Sequence, residues 1–95
     1  MSKTPATQHC ILDGAELADA AAVYRAIAAG FAFPAYFGGN LDALWDALSE
    51  PGLHRRELSW RNSAISARRL GAQFDAIVTV LKRAVAAGML TLRLL

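Results

Sequence analysis

Residues 34–49 read PAYFGGNLDALWDALS, and this stretch holds the most informative pattern in the chain. Asn40 is a residue type that favours the N-cap of a helix, and a helix does not continue through Pro51-Gly52. Between these two points the apolar residues recur at helical spacing, namely Leu41, Leu44, Trp45 and Leu48. We therefore predict an amphipathic helix that begins after Asn40 and stops before Pro51.

The same helix carries two carboxylates away from its apolar stripe. Asp42 and Asp46 are four residues apart, so both lie on one face of the helix. No Lys or Arg occupies positions 26–54 to neutralise them locally, and the aromatic residues Tyr36 and Phe37 precede them on a glycine-flanked loop. Acids beside aromatics suit a cationic, concave partner. The alternative is a solvated acidic face beside aromatic residues that belong to the core.

Strands and helices alternate on both sides of this segment. A short apolar run closed by a turn signal predicts a strand, and period-two alternation predicts two more. Helical spacing, caps and terminal glycines predict three further helices. The predicted strands are 9–12, 57–61 and 89–95, and residues 53–56 are predicted to form a loop. The additional helices run from about Leu17 to Gly30, from a cap at Asn62 or Ser63 to Gly71, and through an apolar stripe that ends near Gly88. The inward residues of that last helix are predicted to be Phe74, Ile77, Val78, Leu81 and Val85.

This order predicts an α/β fold with a small parallel sheet and right-handed crossovers. The length of 95 residues allows a single domain, 1–95, in which residues 1–7 form a loose tail. Hydrophobic residues make up 55% of the chain and charged residues only 19%, which excludes a disordered chain. The one cysteine, Cys10, excludes a disulfide framework, and its apolar surroundings predict a buried, inert thiol.

Targeting and cofactor signals are weak. The first ten residues lack an apolar signal core, and no run reaches the roughly 20 apolar residues of a membrane span, so we expect a cytoplasmic protein. His9 and His54 do not have the spacing of a metal site, and no His, Cys or Lys completes an active site with the acid pair. We expect no cofactor, no metal and no enzymatic activity, and a monomer when the protein is free.

The segment from Pro34 to Asp46 resembles the signature of the barstar family of ribonuclease inhibitors. The resemblance rests on Pro34, Tyr36, Phe37, Gly38 and the run NLDALWD at 40–46. Gly14, Trp60 and Ala87-Gly88 match at similar spacing, so it extends over nearly the whole chain. It implies a barstar-like, three-stranded parallel sheet flanked by about four helices. It also implies an immunity-type protein that blocks the cationic active site of a ribonuclease or ribonuclease-type toxin.

Carried over residue by residue, the resemblance gives a set of partner-binding positions. They are Tyr36, Phe37, Gly38, Asn40, Leu41, Asp42, Trp45 and Asp46, with Ser49 and Arg83 as possible rim residues. The chain departs from the family pattern in four ways. Phe37 replaces a second tyrosine, Glu50-Pro51 replaces Gly-Trp, Arg83 replaces an acid on the last helix, and the isoelectric point is near 9.1. These departures keep open a barstar-like interaction module with a non-ribonuclease partner.

The charge distribution raises one further alternative. Residues 1–50 carry a net charge of −4 and residues 51–95 a net charge of +6. Arginines at 55, 56, 61, 68 and 69 surround Trp60 in sequence, which suggests an RNA-binding module in the second half of the chain. Leu58 and Trp60 share one strand face, however, which favours Trp60 as a core residue over a stacking platform. We therefore expect that nucleic acid is not the partner.

Overall fold

The computed structural model describes residues 7–35, 37–50 and 55–95. Strands and helices alternate along the chain, as the sequence predicts. The elements in chain order are β1 (Thr7–Asp13), α1 (Ala20–Gly30), α2 (Leu41–Ser49), β2 (Arg55–Arg61), α3 (Ser63–Leu70), α4 (Ala72–Ala86) and β3 (Thr91–Leu94). None of the helices in these ranges is both long and apolar enough to cross a membrane.

The three strands form one parallel sheet with β2 in the centre. The register pairs Leu12 of β1 with Trp60 of β2, and Trp60 with Leu94 of β3. Each parallel pairing requires a crossover, and the two helices between successive strands supply it. This arrangement confirms the predicted α/β fold with a three-stranded parallel sheet and four helices.

The helices lie on one side of the sheet. Even-numbered strand residues such as Cys10, Leu58 and Trp60 are buried beneath them, because successive side chains of a strand point to opposite faces. In the described part of the chain no helix covers the other side, and Ile11 on the edge strand β1 is 69% exposed there. We call this side the bare face; it consists of His9, Ile11, Glu57, Ser59, Thr91 and Arg93.

Trp60 lies at the centre of the core. Its side chain is fully buried, its indole N–H donates to the Ser66 hydroxyl at 2.9 Å, and its ring meets Phe74 edge-on at 5.1 Å. Both polar atoms of this pair therefore have a partner inside an apolar environment. The prediction that Trp60 belongs to the core is confirmed, and its ring is not available for stacking on a base.

Several predicted boundaries at the start of elements were wrong. Thr7 already belongs to β1, so the loose tail cannot include it; residues 1–6 lie outside the described residues. The first helix begins at Ala20 and not at Leu17, because the Asp19 side chain accepts from the Ala22 N–H and caps it there. Strand β2 begins at Arg55, two residues before the predicted start, where a loop was expected.

Two predictions in the last third of the chain also need correction. Val85 is 40% exposed, and the inward positions of α4 include Val80 and Ala84 instead. Ala84 follows Leu81 by three residues and occupies the stripe, which leaves Val85 at its edge in the last turn. Strand β3 begins at Thr91, later than the predicted start at 89, and Leu94 is 40% exposed at its end.

Candidate functional site

Helix α2 is held at its N-terminus by Asn40, as the sequence predicts. The Asn40 side chain accepts a hydrogen bond from the Ala43 N–H at 2.8 Å, and its backbone carbonyl accepts from the Leu44 N–H at 2.9 Å. Leu44 and Leu48 are buried in the core. The cap and the buried stripe together fix which way the opposite side of the helix points.

Asp42 and Asp46 occupy that opposite side, and both are exposed. We call this pair the acid face. Within the described part of the chain neither carboxylate forms an ion pair, since the one ion pair found there joins His9 and Glu57. Asp42 lies in the first turn, where the positive end of the helix dipole favours a negative charge. The acid face is thus held on a rigid element and has both carboxylates available for a partner.

Two large apolar residues of α2, Leu41 and Trp45, flank the acid face and are half-buried. Trp45 contacts α4, because the guanidinium of Arg83 lies 4.6 Å from the centre of its ring. Arg83 is exposed, as its position off the apolar stripe predicts, but it does not extend freely into solvent. Its contact with Trp45 depends on the packing of α2 against α4, which the sequence pattern does not show.

The loop before α2 is anchored by an aromatic cluster. The ring of Phe37 packs at 5.2 Å from that of Phe33 and at 6.4 Å from that of Tyr24. Phe37 is therefore half-buried and holds the loop against α1. Gly38 is exposed beside it, and Gly39 adopts a φ of +64°, which a residue with a side chain rarely adopts. Tyr36 lies outside the described residues.

A cleft of about 390 Å³ opens between this loop and α2. Phe33, Phe37 and alanine methyl groups of α2 form its apolar wall, and Asp46, Glu50 and Arg56 are the charged groups along it. Asp46 thus belongs both to the acid face and to the edge of the cleft. A partner side chain that meets Asp46 would find an apolar surface next to the carboxylate.

Arg56 is a residue of this region that sequence reasoning did not identify. Its guanidinium lies over the rings of Phe31 and Phe33, at 5.8 and 5.6 Å, and its Nε donates to Gln8 at 3.2 Å. Burial lowers the pKa of the Arg56 side chain, and the charge of Glu50 opposes this effect. No local pattern predicts this role, because Phe31 and Phe33 lie more than 20 positions before Arg56 in the sequence. The contact can be seen only when the fold has brought β2 close to these rings.

Ser49, a candidate rim residue, is exposed at the end of α2. Its hydroxyl donates to the backbone carbonyl of Trp45 at 2.7 Å, which satisfies an acceptor in the last turn. The structure therefore brings Ser49 and Arg83 to opposite ends of the same tryptophan, one on its backbone and one on its ring.

Two arginines of the basic second half serve the fold. Arg56 stacks on aromatic rings, and Arg69 donates to the backbone carbonyls of Gly14 and Ala15 at 3.2 and 3.0 Å. Asn62 does not cap α3 with its side chain as predicted; it donates to Asp13 at 2.8 Å instead. The bond from Asn62 is the largest cause that lowers the pKa of Asp13, and a bond from the Ala15 N–H is the second. Two of the five arginines near Trp60 in sequence, Arg56 and Arg69, are thus engaged in contacts within the fold.

The remaining candidate groups have no site geometry around them. Cys10 is 2% exposed, and burial raises the pKa of its thiol to about 11, so it is protonated at neutral pH. This confirms the prediction of a buried cysteine. Among the residues that the structure describes, no three His, Cys, Asp or Glu side chains come together as metal ligands would.

Comparison with known families agrees with this architecture. The profile of the family described as Barstar (barnase inhibitor) matches residues 7–91, which span β1 through the first residue of β3. No curated protein matches the chain. The matched range includes the capped helix α2, the acid face and the aromatic loop. Since the match covers most of the sequence and the fold agrees with it, the chain belongs to the barstar family of barnase inhibitors.

Proposed function

We propose that this protein inhibits a ribonuclease or a ribonuclease-type toxin by covering its active site with the acid face. One observation carries the proposal: Asp42 and Asp46 are exposed on a capped helix and have no ion pair among the described residues. Family membership supports it, because the family is one of inhibitors and not of enzymes. The chain acts as an immunity-type protein in the cytoplasm, and it is a monomer when free.

The chemistry of the target explains why two carboxylates suffice. A ribonuclease must hold a phosphodiester, and Arg, Lys and His side chains in a concave pocket supply the charge that does so. Carboxylate oxygens on α2 substitute for the phosphate oxygens, satisfy those donors and exclude RNA. Because the helix is already folded and capped, little conformational freedom is lost when the complex forms.

The proposed contact set is the one that the resemblance to the barstar family implies, and the geometry around the acid face supports part of it. Asp42 and Asp46 supply the charges, and the half-buried Leu41 and Trp45 supply apolar area beside them. Gly38 allows the backbone of the loop to approach the partner closely. The proposed interface consists of Tyr36, Phe37, Gly38, Asn40, Leu41, Asp42, Trp45 and Asp46, with Ser49 and Arg83 at its rim.

The first test is capture of the partner from the source cell by wild type and by Asp46→Ala. We expect wild type to retain a protein that hydrolyses RNA and whose activity falls when more inhibitor is added. Asp46→Ala should weaken binding by about 2–5 kcal/mol, because it leaves a desolvated cation of the partner unpaired. Thermal stability should stay the same or rise slightly, since like charges four residues apart repel.

Asp75→Ala is the matched control for this experiment. Asp75 is also an exposed acid in the first turn of a helix, but on α4. Because Asp75 is not part of the acid face, the Asp75→Ala variant should bind the partner as tightly as wild type does. If Asp42→Ala and Asp46→Ala both bind as tightly as the Asp75→Ala control, inhibition through the acid face is wrong.

A second candidate function is an interaction module whose partner is not a ribonuclease. The specific observation behind it is Arg83, a cation stacked on Trp45 within the proposed interface. Capture of a protein that depends on Asp46 but has no ribonuclease activity would favour this alternative over inhibition.

A further inference from the structure

Where α2 packs against α4, a cation of α4 lies over an aromatic ring of α2. Trp45 follows Asp42 by three residues, so the two side chains are neighbours on the surface of α2. The guanidinium of Arg83 lies over that ring, 4.6 Å from its centre. A cation–π contact with Trp45, the helical neighbour of Asp42, therefore holds this cation in place.

Arg83 is not neutralised by its surroundings. It is exposed, and among the residues that the structure describes it forms no ion pair. The carboxylates of the acid face are equally unpaired within those residues. The packed pair of helices thus presents unpaired negative charge on α2 and unpaired positive charge on α4.

We propose that Arg83 determines which partner this surface accepts. The inference rests on the proposed function and makes it more specific. The partner has a cationic site for Asp42 and Asp46, and an acidic side chain at the border of that site opposite Arg83. A ribonuclease whose active site is surrounded by cations alone meets a like charge at Arg83, and such a contact rejects wrong partners.

The test uses a barnase-type ribonuclease with a uniformly cationic active site as the probe. Stopped-flow association is measured for wild type, Arg83→Gln and Arg83→Glu at about 0.01 M and about 0.15 M salt. We expect Arg83→Glu to associate about tenfold faster than wild type at low salt, with Arg83→Gln in between. The gain should shrink at the higher salt, where the Debye length falls from about 30 Å to about 8 Å.

Lys82→Glu is the control for net charge. Lys82 is exposed on the same helix and precedes Arg83, so it points about 100° away around the axis. The same charge change there should accelerate association much less. Equal acceleration by Lys82→Glu and Arg83→Glu would overturn the inference, because only overall charge would then matter.

Three other outcomes have distinct meanings. Equal rates for Arg83→Gln and Arg83→Glu would make Arg83 a packing partner of Trp45 and overturn the inference. Failure of every variant to bind the probe would also overturn it, since removal of the cation would not restore binding. If Arg83→Glu binds and the double variant with Asp46→Ala binds as well, the acid face is not the contact, and it is the proposed function that fails.

Discussion

The indole of Trp60 shows how one buried polar atom constrains the core. Its N–H donates to the Ser66 hydroxyl at 2.9 Å, and Ser66 itself is fully buried. An unpartnered donor in such a place costs more than a hydrogen bond is worth, because it has lost its water. The requirement for a hydroxyl at position 66 therefore comes from the Trp60 indole and not from the formation of helix α3.

We expect Ser66→Ala to lower the free energy of unfolding by about 1–3 kcal/mol. Urea denaturation followed by circular dichroism measures this loss. Ser49→Ala is the control, because it removes a helical serine hydroxyl that is exposed and that donates to a backbone carbonyl of its own helix. It should change stability by less than about 0.5 kcal/mol.

A double variant separates the hydrogen bond from the packing. Trp60→Phe removes the donor, so Ser66→Ala should cost distinctly less in that background than alone. Equal costs of Ser66→Ala in both backgrounds would contradict the view that the bond is what makes the serine necessary.

At the scale of the element, α2 depends on its cap. It spans only Leu41–Ser49, and helices this short are marginal without tertiary contacts and caps. Asn40→Ala removes the acceptor for the Ala43 N–H, and we expect it to cost about 0.5–2 kcal/mol of stability. Thermal unfolding measures this loss. Asn40→Asp, which keeps an acceptor at that position, should retain most of the stability.

The same variants connect the cap to binding. Fraying of the first turn would let Asp42 move while Asp46, one turn later, stays in place. Asn40→Ala should therefore weaken partner binding, and Asn40→Asp much less. Unchanged affinity in Asn40→Ala would show that the cap serves stability alone.

Local patterns in the sequence predicted the elements well. The spacing of apolar residues located three of the helices, and Asn40 was correctly predicted to cap α2 because its bond to Ala43 spans three residues. Helix α3 was predicted from a cap at Asn62 or Ser63 and from Gly71, but the Asn62 side chain bonds Asp13, 49 positions away. A capping rule considers only the next few residues of the sequence. It cannot predict that the fold brings Asp13 close enough to bind the Asn62 side chain instead.

The contacts around the candidate site also join residues that are distant in the sequence. Arg56 meets Phe31 and Phe33 only because β2 lies beside β1 and α1, and Arg83 meets Trp45 only because α4 packs on α2. The sequence predicted which side of α2 is acidic. It did not predict what lies next to that side, since the neighbours come from distant parts of the chain.

Across the whole molecule, the acidic and basic halves of the chain are joined rather than separated. Arg56 reaches Gln8 and the Leu48 carbonyl, and Arg69 holds the carbonyls of Gly14 and Ala15. Two of the eight basic residues in the second half thus connect it to the first half. The charge of the second half therefore overstates the number of cations that are free to bind RNA.

We accordingly expect no saturable RNA binding by the free protein at about 0.15 M salt. Fluorescence anisotropy of a labelled single-stranded RNA, titrated at low and at physiological salt, measures this. Affinity that persists, falls steeply with salt and is lost in Arg55→Ala or Arg61→Ala would contradict the expectation and support the RNA-binding alternative.

The bare face of the sheet is a suitable place to attach a label or a linker to this protein. It lies on the side of the sheet opposite the helices, which include α2 and its acid face. Cys10 is buried with a pKa of about 11, so a thiol introduced at the exposed Thr91 would be the reactive one. A dye or a linker attached there leaves α2 uncovered. The protein can therefore be immobilised on a sensor chip in a single orientation, with its recognition surface towards the solution.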